Sequence, residues 1–305
     1  MELSLICLQQ IMVMFLLVAT GFLCGKLGII DKATNPKLSA FLLYVVNPVL
    51  IVMSYQEQTF SMELLRGLGL SIALAAGSYA LIIAVLFIIF RKDDSDNPVI
   101  VKFSSTFSNC GFMGLPLINA LFGSEGVLYV TGYLTIFNIM CWTYGVMMFG
   151  GKESANLKKI ITSPAIIAII IGLICFVAQI HLPQIILSAG DHIKACNTPV
   201  AMICAGVTIA YTDIKQNIKD KYVYLALLLR LILCPLLFWA VFRWFAIPHM
   251  VFMVILVASG CPAAATGTML ALNYKKNPEM SAVIFAASTL LSALTLPLVV
   301  MLGSV

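Results

Sequence analysis

The chain has 305 residues, of which 61% are hydrophobic and 10% charged, and its mean hydropathy is +1.04. Soluble globular proteins carry about 25% charged residues, so this composition excludes a soluble enzyme and defines an all-α polytopic membrane protein. The net charge of +5 comes from lysines in short loops and is no signature of nucleic acid.

Ten apolar segments follow one another, at about 3–25, 37–56, 65–90, 99–122, 127–149, 160–180, 185–210, 222–245, 250–272 and 280–302. Each is near the ~20 residues that a helix needs to cross a bilayer. The first lacks the basic flank of a cleaved signal and carries Glu2 and Gln9-Gln10 instead, so a retained span is expected. The second has Asn47-Pro48 near its middle, and the seventh has Asn197-Thr198-Pro199; both read as packing kinks rather than sites.

The fourth segment is interrupted at its centre by Ser108-Asn109-Cys110-Gly111-Phe112-Met113-Gly114-Leu115-Pro116. The ninth carries a similar defect at Ser259-Gly260-Cys261-Pro262, followed by Thr266-Gly267-Thr268. Gly and Pro weaken or break helices. In lipid a broken backbone survives only inside protein or beside a water-filled cavity. Two interrupted helices at matching places in two halves point to a transporter's binding site.

Lysine and arginine fix the orientation through the positive-inside rule. With the N-terminus outside, the inside loops hold Lys26, Lys32, Lys37, Arg91, Lys92, Lys102, Lys152, Lys158, Lys159, Lys215, Lys219, Lys221, Lys275 and Lys276, whereas the outside loops hold Arg66, Lys194 and Arg243. This puts both termini outside. It also makes two five-span units, residues 1–151 and 152–305, the second inverted in the membrane.

Candidate chemistry is sparse. The nine Cys form no CxxC, and the three His (His181, His192, His249) lie near outside loops, so no metal, redox or catalytic constellation arises. No cofactor is implied, and no enzyme is expected. The breaks expose two half-helix N-termini, near Gly111–Pro116 and Pro262–Thr266, which attract negative charge. Around Ser108 and Gly260 the first halves end in carbonyls that suit a cation. Asn109 can bond a ligand, satisfy the broken backbone, or do both. Arg230 is the one basic residue well inside a span, at a cost of several kcal/mol. It either faces an anion or lines its path, or else it snorkels or caps carbonyls of a broken helix. No Asp or Glu lies inside a span.

The motif Asn109-x-Gly111-Phe112-x-Gly114-x-Pro116-Leu117 resembles the fourth span of the auxin efflux carrier family. Asn47-Pro48-Val49-Leu50 resembles the family's second span, Pro262-Ala263-Ala264 its ninth, and Ser288–Leu298 its tenth. The resemblance implies a ten-helix fold similar to PIN-type auxin carriers and bile acid:sodium symporters, with helices 4 and 9 crossing. Spans 1, 2, 6 and 7 would form a scaffold, which can dimerise; spans 3–5 and 8–10 would form the transport domain. Where plant carriers have Gln after the last Pro this chain has Ala263, and where they have a second Pro it has Gly267. These departures point away from auxin and toward carriers of malate, malonate and similar carboxylates.

The expectation is a secondary transporter of small organic anions in the cytoplasmic membrane, working by alternating access. The substrate would be held by Asn109, Gly111, Gly114, Pro116, Gly260, Pro262, Thr266 and Arg230, with sodium or a proton as possible coupling ion. The alternatives are a receptor that uses the same pocket, or a sodium-coupled symporter of the bile-acid type.

Overall fold

In lipid every backbone N–H and C=O must be bonded within the chain, so apolar runs of this length close their hydrogen bonds as helices. The structure, a computed structural model, describes residues 2–90, 96–154, 158, 161–213 and 219–304. Among the described residues it is helical, with one isolated backbone bridge and no strand. In chain order the helices are α1 (Glu2–Lys26), α2 (Thr34–Phe41), α3 (Asn47–Gln56), α4 (Met62–Phe90), α5 (Asp96–Thr106), α6 (Leu115–Met140), α7 (Val146–Gly150), α8 (Pro164–Val177), α9 (Gln184–Ala195), α10 (Asn197–Tyr211), α11 (Lys221–Leu228), α12 (Cys234–Phe242), α13 (His249–Gly260), α14 (Thr266–Asn273) and α15 (Pro278–Gly303).

Wider π turns, at Leu42–Val46, Cys110–Gly114, Cys141–Gly145 and Leu229–Leu233, lead into the helices that follow them. Three of the four are followed, at the second position, by a proline: Pro48, Pro116 and Pro235. Proline lacks an N–H and its ring collides with the carbonyl four residues back. An extra residue in the preceding turn moves that carbonyl aside.

Counted through such turns, seven helices among the described residues are long and apolar enough to cross a membrane: Leu8–Lys26, Thr34–Gln56, Met62–Phe90, Cys110–Gly150, Gln184–Tyr211, Lys221–Phe242 and Pro278–Gly303. Pro164–Val177 and His249–Gly260 are apolar but shorter. Cys110–Gly150 has 41 residues, or about 60 Å of helix, twice the ~30 Å of a hydrocarbon core. It is not one rod. Gly123, at φ 62° and ψ −156°, leaves the helical region, in a conformation open to glycine and costly for other residues.

Two packing groups organise the helices. α1 runs against α10 so closely that a methyl on Gly21 would strike the Ile203 carbonyl, and one on Gly206 the Val18 carbonyl. α3 packs on α8 and α9. In the other group α13 is surrounded by α4, α6, α12 and α15. It is buried at every residue from Val251 to Gly260, as a helix that is apolar all round must be.

The loops join in two sets. Asp96 pairs with Lys276 at 2.9 Å, Asn277 Nδ2 donates to Asn97 Oδ1 at 3.1 Å, and Asn97 Nδ2 donates to Asp220 at 3.4 Å. Tyr274 stacks on Phe149. In the other set Gln56 donates to the Ile180 carbonyl at 2.9 Å, Gln58 donates to Ser124 at 2.7 Å, and Lys194 pairs with Glu57. Four charges expected inside, Arg91, Lys92, Lys159 and Lys215, lie outside the described residues.

Candidate functional site: the meeting of two broken helices

α5 ends at Thr106 and α13 at Gly260, and the chain beyond each end turns toward the other. Ser108 and Ala263 form an antiparallel bridge. Asn109 N donates to the Pro262 carbonyl at 2.7 Å, and Ala264 N donates to the Phe107 carbonyl at 2.9 Å. Ala263 N donates to Ser288 Oγ at 3.1 Å. Gly and Pro leave both segments without helical partners, and in an apolar interior the freed groups have to be satisfied by protein. Each break satisfies the other, so the two interruptions read from sequence come together at one place.

Asn109 sits at that place, 5% exposed. Its carbonyl accepts from Met113 N at 2.9 Å and Gly114 N at 3.2 Å, which starts the second half of the helix. Its side-chain amide makes no hydrogen bond among the described residues. Asn109 is not among the residues with a fully buried, unpartnered polar atom, so its amide keeps some access to the space at the break, with donor and acceptor capacity to offer a ligand. Gly111 borders open space, for a Cβ there would meet no atom within 4 Å. Gly114 and Gly260 do not: a Cβ on Gly114 would lie 3.2 Å from Cys261 Sγ, and one on Gly260 would lie 3.1 Å from Val299. Those two glycines serve close packing. Pro116 is buried at the second position of α6, Pro262 supplies the carbonyl that Asn109 bonds, and half-buried Thr266 opens α14.

Arg230 lies in the π turn Leu229–Leu233 and is 2% exposed. Nε donates to the Cys261 carbonyl at 3.0 Å, and one Nη to the Ser105 carbonyl at 2.9 Å and the Thr106 carbonyl at 3.5 Å. The other Nη donates to the Ser259 carbonyl. The guanidinium therefore spans the C-terminal ends of α5 and α13. Of the roles open in the sequence, the cap is the one these bonds describe: they go to backbone carbonyls rather than toward the space at Gly111.

Asn47 and Asn197 also belong to this region, which the kink reading of their Asn-Pro motifs missed. Asn197 Nδ2 donates to Asn47 Oδ1 at 2.6 Å, and Asn47 Nδ2 donates to the Gly111 carbonyl at 3.4 Å. Both are buried, at 4% and 3% exposure, and Asn197 Oδ1 has no partner among the described residues. The available signal was that both Asn occupy matching places in the two halves.

A cavity of about 470 Å³ lies where α10 and the α1–α2 connection face α14 and α15. Lys32, Asn35, Thr208 and Tyr211 line one side, and Thr268 and Glu279 the other. Thr268 is two residues beyond Thr266 on α14.

Comparison with known proteins bears on this arrangement. The family described as "Membrane transport protein" matches residues 6–300. An "uncharacterized transporter" of Methanothermobacter thermautotrophicus is 24% identical over 303 residues, covering 95% of this chain and 96% of the relative. Another, of Methanocaldococcus jannaschii, is 22% identical over 302 residues, covering 95% and 97%.

Proposed function

From the premise that this chain belongs to the membrane transport protein family, the auxin efflux carrier family, and is a multi-pass membrane protein, we propose that it is a secondary carrier of small organic anions. The observation that carries this reading is the antiparallel bridge between Ser108 and Ala263, with the unbonded Asn109 amide beside it and open space at Gly111. Two second-half helices start there, at the π turn from Cys110 and at Thr266. First-turn amides of a helix have no intrahelical partner, and each N-terminus acts like about half a positive charge. A carboxylate finds donors already in place.

The ten-crossing inverted repeat, residues 1–151 and 152–305, is part of the proposal. A two-fold axis in the membrane plane relates span 1 to 6, 2 to 7 and 4 to 9. It turns the contact of span 1 with 7 into the contact of span 6 with 2. The packing of α1 on α10 and of α3 on α8 supports that pairing. Contacts on the axis itself join equivalent residues, as Asn47 joins Asn197 and Ser108 joins Ala263. The two sets of loop contacts match the sides that the lysines assign, which supports both termini lying outside a cytoplasmic membrane. Spans 1, 2, 6 and 7 then form the scaffold, with room for a homodimer, and the cavity near Lys32 is the inner vestibule between scaffold and transport domain.

Purified protein is to be screened by thermal shift against mono- and dicarboxylates, their neutral amides, organic cations and lipids, and the best ligand then tested for uptake into proteoliposomes. A carboxylate should stabilise the protein where its amide does not, and should be taken up. A best ligand that is cationic or uncharged, with no uptake, would replace the carrier reading with a receptor.

A further inference from the structure

We infer that Arg230 is a resident cation that occupies the place a coupling sodium ion would take at the crossing. The inference rests on the carrier reading only for its consequence, which is that substrate binding needs no sodium. The last carbonyls of α5 and α13 have no intrahelical partners, and each C-terminus acts like about half a negative charge. Two such ends together present about one negative charge. One guanidinium meets it, with bonds to Ser105, Thr106, Ser259 and Cys261 carbonyls at both ends. Oxygen ligands converging from two chain segments are also what a hard cation needs.

The remaining charges give the same answer. Among the described residues no carboxylate bonds Arg230, and no cluster of three or more His, Cys, Asp or Glu stands ready for a metal. With Arg230 balancing the C-termini, the two N-termini across the crossing are left with about one positive charge, which suits a single carboxylate there. The π turn holds Arg230 in place, since Pro235 behind it fixes the wider geometry. A small cavity of about 10 Å³ adjoins the guanidinium, lined by Tyr79, Tyr133, Thr106 and Ser259. That is room for about one water molecule, and removing the guanidinium enlarges it into a polar site ringed by carbonyls.

The test is thermal unfolding of purified wild type, Arg230→Ala and Arg230→Lys in sodium, potassium or choline chloride at matched ionic strength, without substrate. Wild type and Arg230→Lys should unfold at the same temperature in all three salts. Arg230→Ala should be less stable and gain about 1–2 °C from sodium or potassium over choline, the shift that a cation present at a few times its dissociation constant produces in a chain of this length. Selective stabilisation of wild type by sodium would overturn the inference, as would a folded Arg230→Ala that ignores all three cations. If Arg230→Ala does not fold, a sodium effect on wild type or Arg230→Lys overturns it, and its absence in both upholds it. Failure of the carrier reading would be seen separately, as a wild type that neither binds nor takes up any carboxylate.

Discussion

Asn197 donates a 2.6 Å hydrogen bond to Asn47 across 150 residues of sequence, and Asn47 passes the connection on to the Gly111 carbonyl at 3.4 Å. The pair ties α3 and α10 to each other and to the first turn after the break. In an apolar interior, leaving one member without its partner costs about 1–3 kcal/mol. Asn47→Ala and Asn197→Ala should each lower the unfolding temperature and weaken ligand binding. The double variant should be less destabilised than the sum of the two, by roughly 0.5–3 kcal/mol. Strict additivity in a double-mutant cycle would mean that the two side chains act independently.

The loop contacts lead to a prediction about sidedness. On a background without native cysteines, single cysteines at Gln58 and Ser124 should react with an impermeant thiol reagent added outside intact cells. Cysteines at Asn277 and Lys219 should react only after the membrane is opened. Outside labelling at Asn277 would overturn the ten-crossing orientation.

Helix α1 touches α10 through Gly21 and Gly206, where any side chain meets a backbone carbonyl of the other helix. Overpacking a well-filled contact costs about 1–3 kcal/mol and more when backbone must move. Gly206→Leu should therefore yield protein that aggregates in detergent during size-exclusion chromatography, while Gly69→Leu, where a Cβ meets nothing within 4 Å, should elute like wild type.

Glycines at the break separate binding from packing. Gly111→Val adds bulk where the protein leaves space, so it should purify with near wild-type stability and lose carboxylate binding. At Gly114 a Cβ is pressed against Cys261 and Cys110, so Gly114→Val should lose stability itself. Thermal unfolding with and without ligand distinguishes the two; intact binding by Gly111→Val would remove Gly111 from the site.

Much of this was legible in the sequence. Gly, Pro and Asn inside apolar runs marked the breaks at Asn109 and Pro262, because few residue types disrupt a helix and lipid does not tolerate the result unaided. The pairing of Ser108 with Ala263 was not legible, since a backbone bridge leaves no side-chain pattern. Arg230 stood out as a buried charge, but its partners are carbonyls contributed by helices far away in sequence, which residue identity cannot reveal. Asn47 and Asn197 were read as kinks because an Asn before Pro accounts for a bend on its own. Their mutual bond depends on how the two halves pack. The π turns ahead of Pro48, Pro116 and Pro235 were equally hidden, although the prolines explain them once seen.

The most direct test concerns Asn109, whose side chain makes no cap bond at the meeting of the two breaks. Calorimetry would compare the best carboxylate from the screen on wild type and on Asn109→Ala, both first checked for monodisperse elution and cooperative unfolding. The account predicts a folded variant whose affinity falls by roughly 5- to 150-fold, the equivalent of losing one buried hydrogen-bonding group worth about 1–3 kcal/mol. Wild-type affinity in a folded Asn109→Ala would contradict the claim that the crossing of the two broken helices holds the substrate.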